Sequence, residues 1–113
     1  MKRVEAVIRR ERVDAVCKAL EKIGHTGLML SEVGGHGRER GAEQRVRGFA
    51  YDVDLIFKAK IALIVPDESV SAIADAIQKA AFTGQIGDGK IFIHPVDDAV
   101  RIRTAERGTD AIR

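Results

Sequence analysis

Val4, Ala6 and Ile8 alternate with charged or smaller residues. That is the period of a half-buried strand, and it predicts one over about residues 2–9. Val13, Val16, Cys17, Leu20 and Ile23 then fall at helical spacing, and Gly24 stands where that helix should end. Cys17 sits inside this apolar stripe and reads as core filler rather than a nucleophile. Leu28, Met29, Leu30 and Val33 suggest a second strand. From Gly34 to about Asp54 the periodicity stops, and glycine, arginine and glutamate take over. It returns with a third strand over Ala59 to Val65, ended by Pro66. Val70, Ile73, Ala74, Ile77 and Ala81 mark a second amphipathic helix, ending near Thr83-Gly84, with Asp67 as its N-cap candidate. Ile91 to Val96 reads as a fourth strand and Val100 to Thr104 as a short extra one.

The order β-α-β-(long loop)-β-α-β predicts an α+β, ferredoxin-like βαββαβ sandwich. Two helices cover one face of such a sheet. The other face needs cover, and self-association is the simplest source; a monomer with a polar open face is the alternative. At 113 residues the chain is expected to be one domain. Aromatic residues make up only 4% of it, with no Trp, so the core must be aliphatic. The same scarcity argues against a platform for single-stranded nucleic acid, which stacks bases on exposed rings. A net charge of +2 spread over both signs gives a mixed solvated surface without a polyanion stripe. The single cysteine excludes an internal disulfide and a cysteine-based zinc cluster. With no signal peptide and no apolar run of spanning length, a cytoplasmic protein is expected.

Gly87-Asp88-Gly89-Lys90 precedes the fourth strand. Glycines let backbone N–H groups approach an anion and a lysine adds a point charge, although such a segment is also a common plain turn. Arg101 and Arg103, one residue apart in the expected extra strand, would share a face, a spacing suited to a phosphate chain; exposed arginines on a solvated strand are the alternative. Lys58 and Lys60 likewise share a face of the third strand. His25, His36 and His94 are isolated and lack metal-ligand spacing. No nucleophile elbow or acid pair is seen, so a catalytic role is not expected. A small phosphate-handling enzyme of the same topology is the reading from another class.

Thr83-Gly84-Gln85-Ile86-Gly87-Asp88-Gly89-Lys90-Ile91-Phe92, taken with Arg101-Ile102-Arg103-Thr104, closely resembles the signature of PII signal-transduction proteins. Met1 to Ala6, Thr26-Gly27, Gly35-His36-Gly37-Arg38, Arg47-Gly48, Tyr51 and Glu106-Arg107-Gly108 fall in register with it, so the resemblance covers essentially the whole chain. It implies a single PII-like domain over 1–113 that assembles as a homotrimer and binds ATP or ADP in clefts between subunits. The residues it implies for the nucleotide are Met29, Gly35, Gly37, Arg38, Ile64, Gly87, Asp88, Gly89 and Lys90, with Arg101 and Arg103 reaching the phosphates from a neighbouring subunit. A T-loop of about residues 36–55 would change shape with nucleotide and with 2-oxoglutarate, gating binding to an ammonium-type transporter or a nitrogen-metabolic enzyme. Membrane contact would be indirect, through such a transporter. Glu39, Arg40, Gly41 and Lys58 match the effector positions, and Glu39 the metal-coordinating one. Tyr51 matches a nucleotidylated tyrosine, and Arg47 and Tyr51 are implied as partner contacts.

Several residues depart from the family pattern. Glu39 replaces a glutamine; a carboxylate suits Mg²⁺ but repels a dianionic 2-oxoglutarate by about 1 kcal/mol or more at close range. Arg40 replaces a lysine, Met29 a threonine used for the adenine, and Ala62 a glutamate near the ribose. These departures predict a chain that binds ATP and ADP but answers 2-oxoglutarate weakly or not at all. A divergent PII-like regulator of another transporter or of carbon metabolism is therefore the alternative within the same architecture.

Overall fold

A computed structural model of the chain describes residues 1–36, 44–46, 49–51 and 55–113, and the side chains of these outside 36–56. Its elements are β1 (Lys2–Ile8), α1 (Val13–Lys22), β2 (Met29–His36), β3 (Gln44–Val46), β4 (Phe49–Tyr51), β5 (Leu55–Val65), α2 (Val70–Ala81) and β6 (Gly89–Pro95). Four strands form an antiparallel sheet in the order β2-β5-β1-β6, and β3 pairs with β4 in a separate two-stranded ladder. This is the expected ferredoxin-like α+β arrangement.

Alternation along the two central strands decides which face is covered. Val4, Ala6 and Ile8 of β1 and Ala59, Ile61, Leu63 and Val65 of β5 are buried against Val16 and Leu20 of α1 and Ile73, Ile77 and Ala81 of α2. Among the described residues the core contains no aromatic side chain, and Cys17 packs half-buried at its margin. Helix α1 stops where Gly24 takes φ +88°. There the His25 N–H donates to the Leu20 carbonyl and the Gly24 N–H to that of Glu21, closing a Schellman turn. Arg12, at the start of α1, donates Nε and Nη2 to the Ala80 carbonyl near the end of α2, which ties the two helices together.

Three expectations need correction. The second and third strands run further than the apolar pattern indicates, because Gly34, Gly35 and His36 pair with Phe57, Ile56 and Leu55. Glycines erase the binary pattern while keeping a backbone that can join a ladder, and the nominal loop also contains β3 and β4. Second, Asp67 does not cap α2. Residues Asp67–Ser69 form a 3-10 turn, Ser69 precedes the helix without a side-chain cap, and the Asp67 carboxylate meets the Met1 amino group at 2.8 Å. Third, Val100 to Thr104 is not a strand. Val100 makes one isolated bridge to Arg107, the Ala105 N–H donates to the Arg101 carbonyl at 2.7 Å, and Ala105 takes φ +59°. Alternating residues without a partner strand fold back on themselves instead, and Arg101 and Arg103 do not share a strand face.

Ile61 is fully buried in the central strand β5. Ile61→Ala should destabilise the fold by about 2–5 kcal/mol, measured by urea unfolding at constant protein concentration.

Candidate functional site

Between α2 and β6 the chain makes a turn whose shape is set by glycine. Gly84, Gly87 and Gly89 have φ of +87°, +104° and +106°, values that L side chains rarely adopt. At Gly89 the need is also steric: a Cβ there would lie 1.8 Å from the Val7 carbonyl oxygen of the neighbouring strand. The turn can therefore enter β6 against β1 only through glycine.

Asp88 organises the turn from inside. Its carboxylate accepts the Thr83 N–H at 2.8 Å and the Gly84 N–H at 2.9 Å, together with a short hydrogen bond from the Thr83 hydroxyl. Arg9, just after β1, adds Nε at 3.1 Å. The Thr83 hydroxyl and amide, followed by the Gly84 amide and Arg9, hold the Asp88 carboxyl far below the usual carboxylate range. Arg9 also donates Nη2 to the Ile86 carbonyl at 2.8 Å, and Lys58 donates Nζ to the Gly87 carbonyl at 2.5 Å. Lys90 is exposed on the open sheet face, opposite Val7. Asp88 is thus committed to the protein's own groups, leaving a turn with cationic neighbours able to accept an anion.

The remaining candidates are dispersed. Met29 is exposed opposite Ala62, and Ile64 is half-buried opposite Arg3, both on the open sheet face. Lys90 faces Val7 and Ile64 faces Arg3, so the two are offset by four residues of β1, about 13 Å along the strand. Arg101 donates to Glu106 at 2.7 Å and to the Arg113 carbonyl at 2.6 Å, and Arg103 is exposed. Among the described residues, no hydrogen bond or ion pair joins either arginine to the turn. Gly35 lies in β2. Gly37, Arg38, Glu39, Arg40, Gly41 and Arg47 lie outside the described residues, as does the side chain of Tyr51. On the helix side, Ile8, Ile77, Ala81, Phe82 and Ile91 line a depression of about 220 Å³ beside the turn. That is below the roughly 300–1,000 Å³ usual for an enclosed small-molecule site.

Arg9 was not legible as a member of this site, and Thr83 entered only through the signature and the end of the second helix. Arg9 is 79 residues from Asp88, and nothing local marks a guanidinium that will meet a turn across the fold.

The family model for "Nitrogen regulatory protein P-II" matches residues 1–106. The chain belongs to this family. Its members are regulatory signal transducers rather than enzymes, so the phosphate-handling enzyme falls away. Over 112 residues the chain is 47% identical to the nitrogen regulatory protein P-II of Rhodospirillum rubrum and 49% identical to that of Synechocystis sp.. Both alignments cover 99% of this chain and all of the relative. A crystal structure of Arabidopsis thaliana PII bound to citrate superimposes with a TM-score of 0.80 at 37% identity, covering 97% of this chain and 90% of that one. Among the described residues no helix is long and apolar enough to cross a membrane.

The depressed Asp88 pKa has a definite sign. A carboxylate favoured in the folded state stabilises above its unfolded pKa of about 3.9, and that contribution is lost as pH falls towards the folded value. Asp88→Asn should therefore lower the melting temperature at pH 7, and its difference from the wild type should shrink steadily below about pH 4. Thermal melts followed by circular dichroism between pH 2 and 7 measure this.

Proposed function

We propose that the chain is a cytoplasmic, homotrimeric regulator that binds ATP or ADP in clefts between subunits. Gly87-Asp88-Gly89-Lys90 would hold the phosphates from one subunit, with Gly35, Gly37 and Arg38 beside it. Arg101 and Arg103 would reach them from the neighbour, whose Met29 and Ile64 would lie against the nucleoside. The observation that carries this reading is the separation of the two halves within one chain: a glycine-built anion turn leads into the edge strand β6, whereas Met29 lies on the opposite edge strand β2 and Ile64 is four residues of β1 away from Lys90. A nucleotide needs both, and the nearby depression is too small to enclose one. Two chains side by side supply both halves. The citrate-bound Arabidopsis relative lends support, since citrate is a polyanion.

In this reading the T-loop, about residues 36–55 of a single domain over 1–113, reports the bound nucleotide to a partner. That partner would be an ammonium-type transporter or a nitrogen-metabolic enzyme, met through Arg47 and Tyr51, with Tyr51 open to modification. Each nucleotide favours the loop state that binds it more tightly, so the partner's affinity changes with the nucleotide. Arg101→Ala with Arg103→Ala removes charge-assisted contacts worth roughly 1.5–3 kcal/mol each. The double variant should bind ATP and ADP at least about tenfold more weakly by calorimetry. Unchanged affinity would overturn the shared cleft.

Lys58 favours a second reading, a divergent regulator with little 2-oxoglutarate response. Its ammonium is engaged by the Gly87 carbonyl, so an anionic effector would have to displace that bond. Glu39, beside Arg40 and Gly41, would add repulsion even while helping to hold Mg²⁺. Titrating 2-oxoglutarate into the Mg-ATP complex should give little heat, whereas micromolar synergistic binding would restore the full effector site.

A further inference from the structure

We infer that Arg9 is a positioning residue of the anion turn, aiming its backbone N–H groups by holding the Ile86 carbonyl on one side of Gly87 and the Asp88 carboxylate on the other. The inference rests on the nucleotide reading above but concerns a residue outside the ligand's contacts. Arg9 directly follows the last residue of β1, and its side chain is only 12% exposed. From that fixed point one guanidinium reaches both sides of Gly87: Nη2 donates to the Ile86 carbonyl before it, and Nε to the Asp88 carboxylate after it. Lys58 takes the carbonyl of Gly87 itself.

Peptide planarity turns this grip into a direction. Among the described residues no peptide bond is cis, and in a trans peptide the C=O and the following N–H point opposite ways. With the Ile86 carbonyl held towards Arg9, the Gly87 N–H must point away from Arg9. With the Gly87 carbonyl held towards Lys58, the Asp88 N–H must point away from Lys58. Arg9 also offsets the charge of Asp88, at 3.1 Å from its carboxylate, which would otherwise oppose an anion at the turn. A planar fork suits this task because it serves two acceptors at once, which a lysine ammonium on its flexible stem does less well.

The test uses the full chain as wild type, Arg9→Ala and Arg9→Lys. Each is checked by circular dichroism, titrated with ADP by calorimetry, and compared through backbone amide NMR shifts. Arg9→Ala should bind ADP at least tenfold more weakly, Arg9→Lys should recover part of that loss, and the Gly87 and Asp88 amide signals should move while those of β5 stay in place. If Arg9→Ala does not fold, the Arg9→Lys comparison carries the test, with a smaller loss of affinity and the same two amides displaced. ADP affinity within twofold of wild type in the folded variant, or unmoved Gly87 and Asp88 signals, would overturn the inference. A wild type that binds no ADP would sink the nucleotide reading instead, and the amide shifts alone would then decide the role of Arg9.

Discussion

The backbone of β1 is hydrogen-bonded along both edges, to residues 59–65 on one side and 89–95 on the other, while Val4, Ala6 and Ile8 press its covered face into the core. A strand held on three sides has little freedom, so whatever follows it starts from a defined place. Arg9 follows it immediately. Gly89 opens the adjacent strand, so close to the Val7 carbonyl that no side chain fits. The anion turn is thus fastened at its end by the sheet and across its middle by the residue leaving the sheet. Burial of aliphatic side chains, the least specific force in the molecule, is what gives the polar site its geometry.

The open sheet face has a different character. Glu5, with its side chain mostly covered, lies within 3.4–3.6 Å of Arg3, Lys60 and His94, while Met29 and Phe92 on the same face are exposed. The charges offset one another locally, but among the described residues nothing covers the apolar area. A face of this kind suits contact between copies of the chain, in line with the shared cleft proposed above.

Arg101 shows how a residue's surroundings can redirect a motif. On the page, Val100 to Thr104 alternates as a strand does. In the fold, Asp98 takes the N–H groups of Ala99 and Gly108, Glu106 takes the Arg101 side chain, and the segment closes into a self-contained loop. Hydrogen bonds to Thr104 and to Arg101 hold the Glu106 carboxyl below its ordinary range. Arg101 is held in place by its own loop, and a phosphate would meet it already oriented.

Much of this was written in the order of residues. The two periods, 2 and 3.6, located the central strands and both helices, because burial on one face demands them whatever the neighbours are. The glycines at 87 and 89 marked the turn, since few other residues tolerate such backbone angles, and the signature around them identified the family. What the sequence could not carry was every feature that depends on a partner far along the chain. The ladder of β2 and β5 through Gly34 and Gly35, the grip of Arg9 on Asp88, the bond from Lys58 to Gly87 and the failure of Val100 to Thr104 to become a strand are all of this kind. Local pattern records whether a residue is to be buried; which distant group it will meet is settled only when the sheet closes.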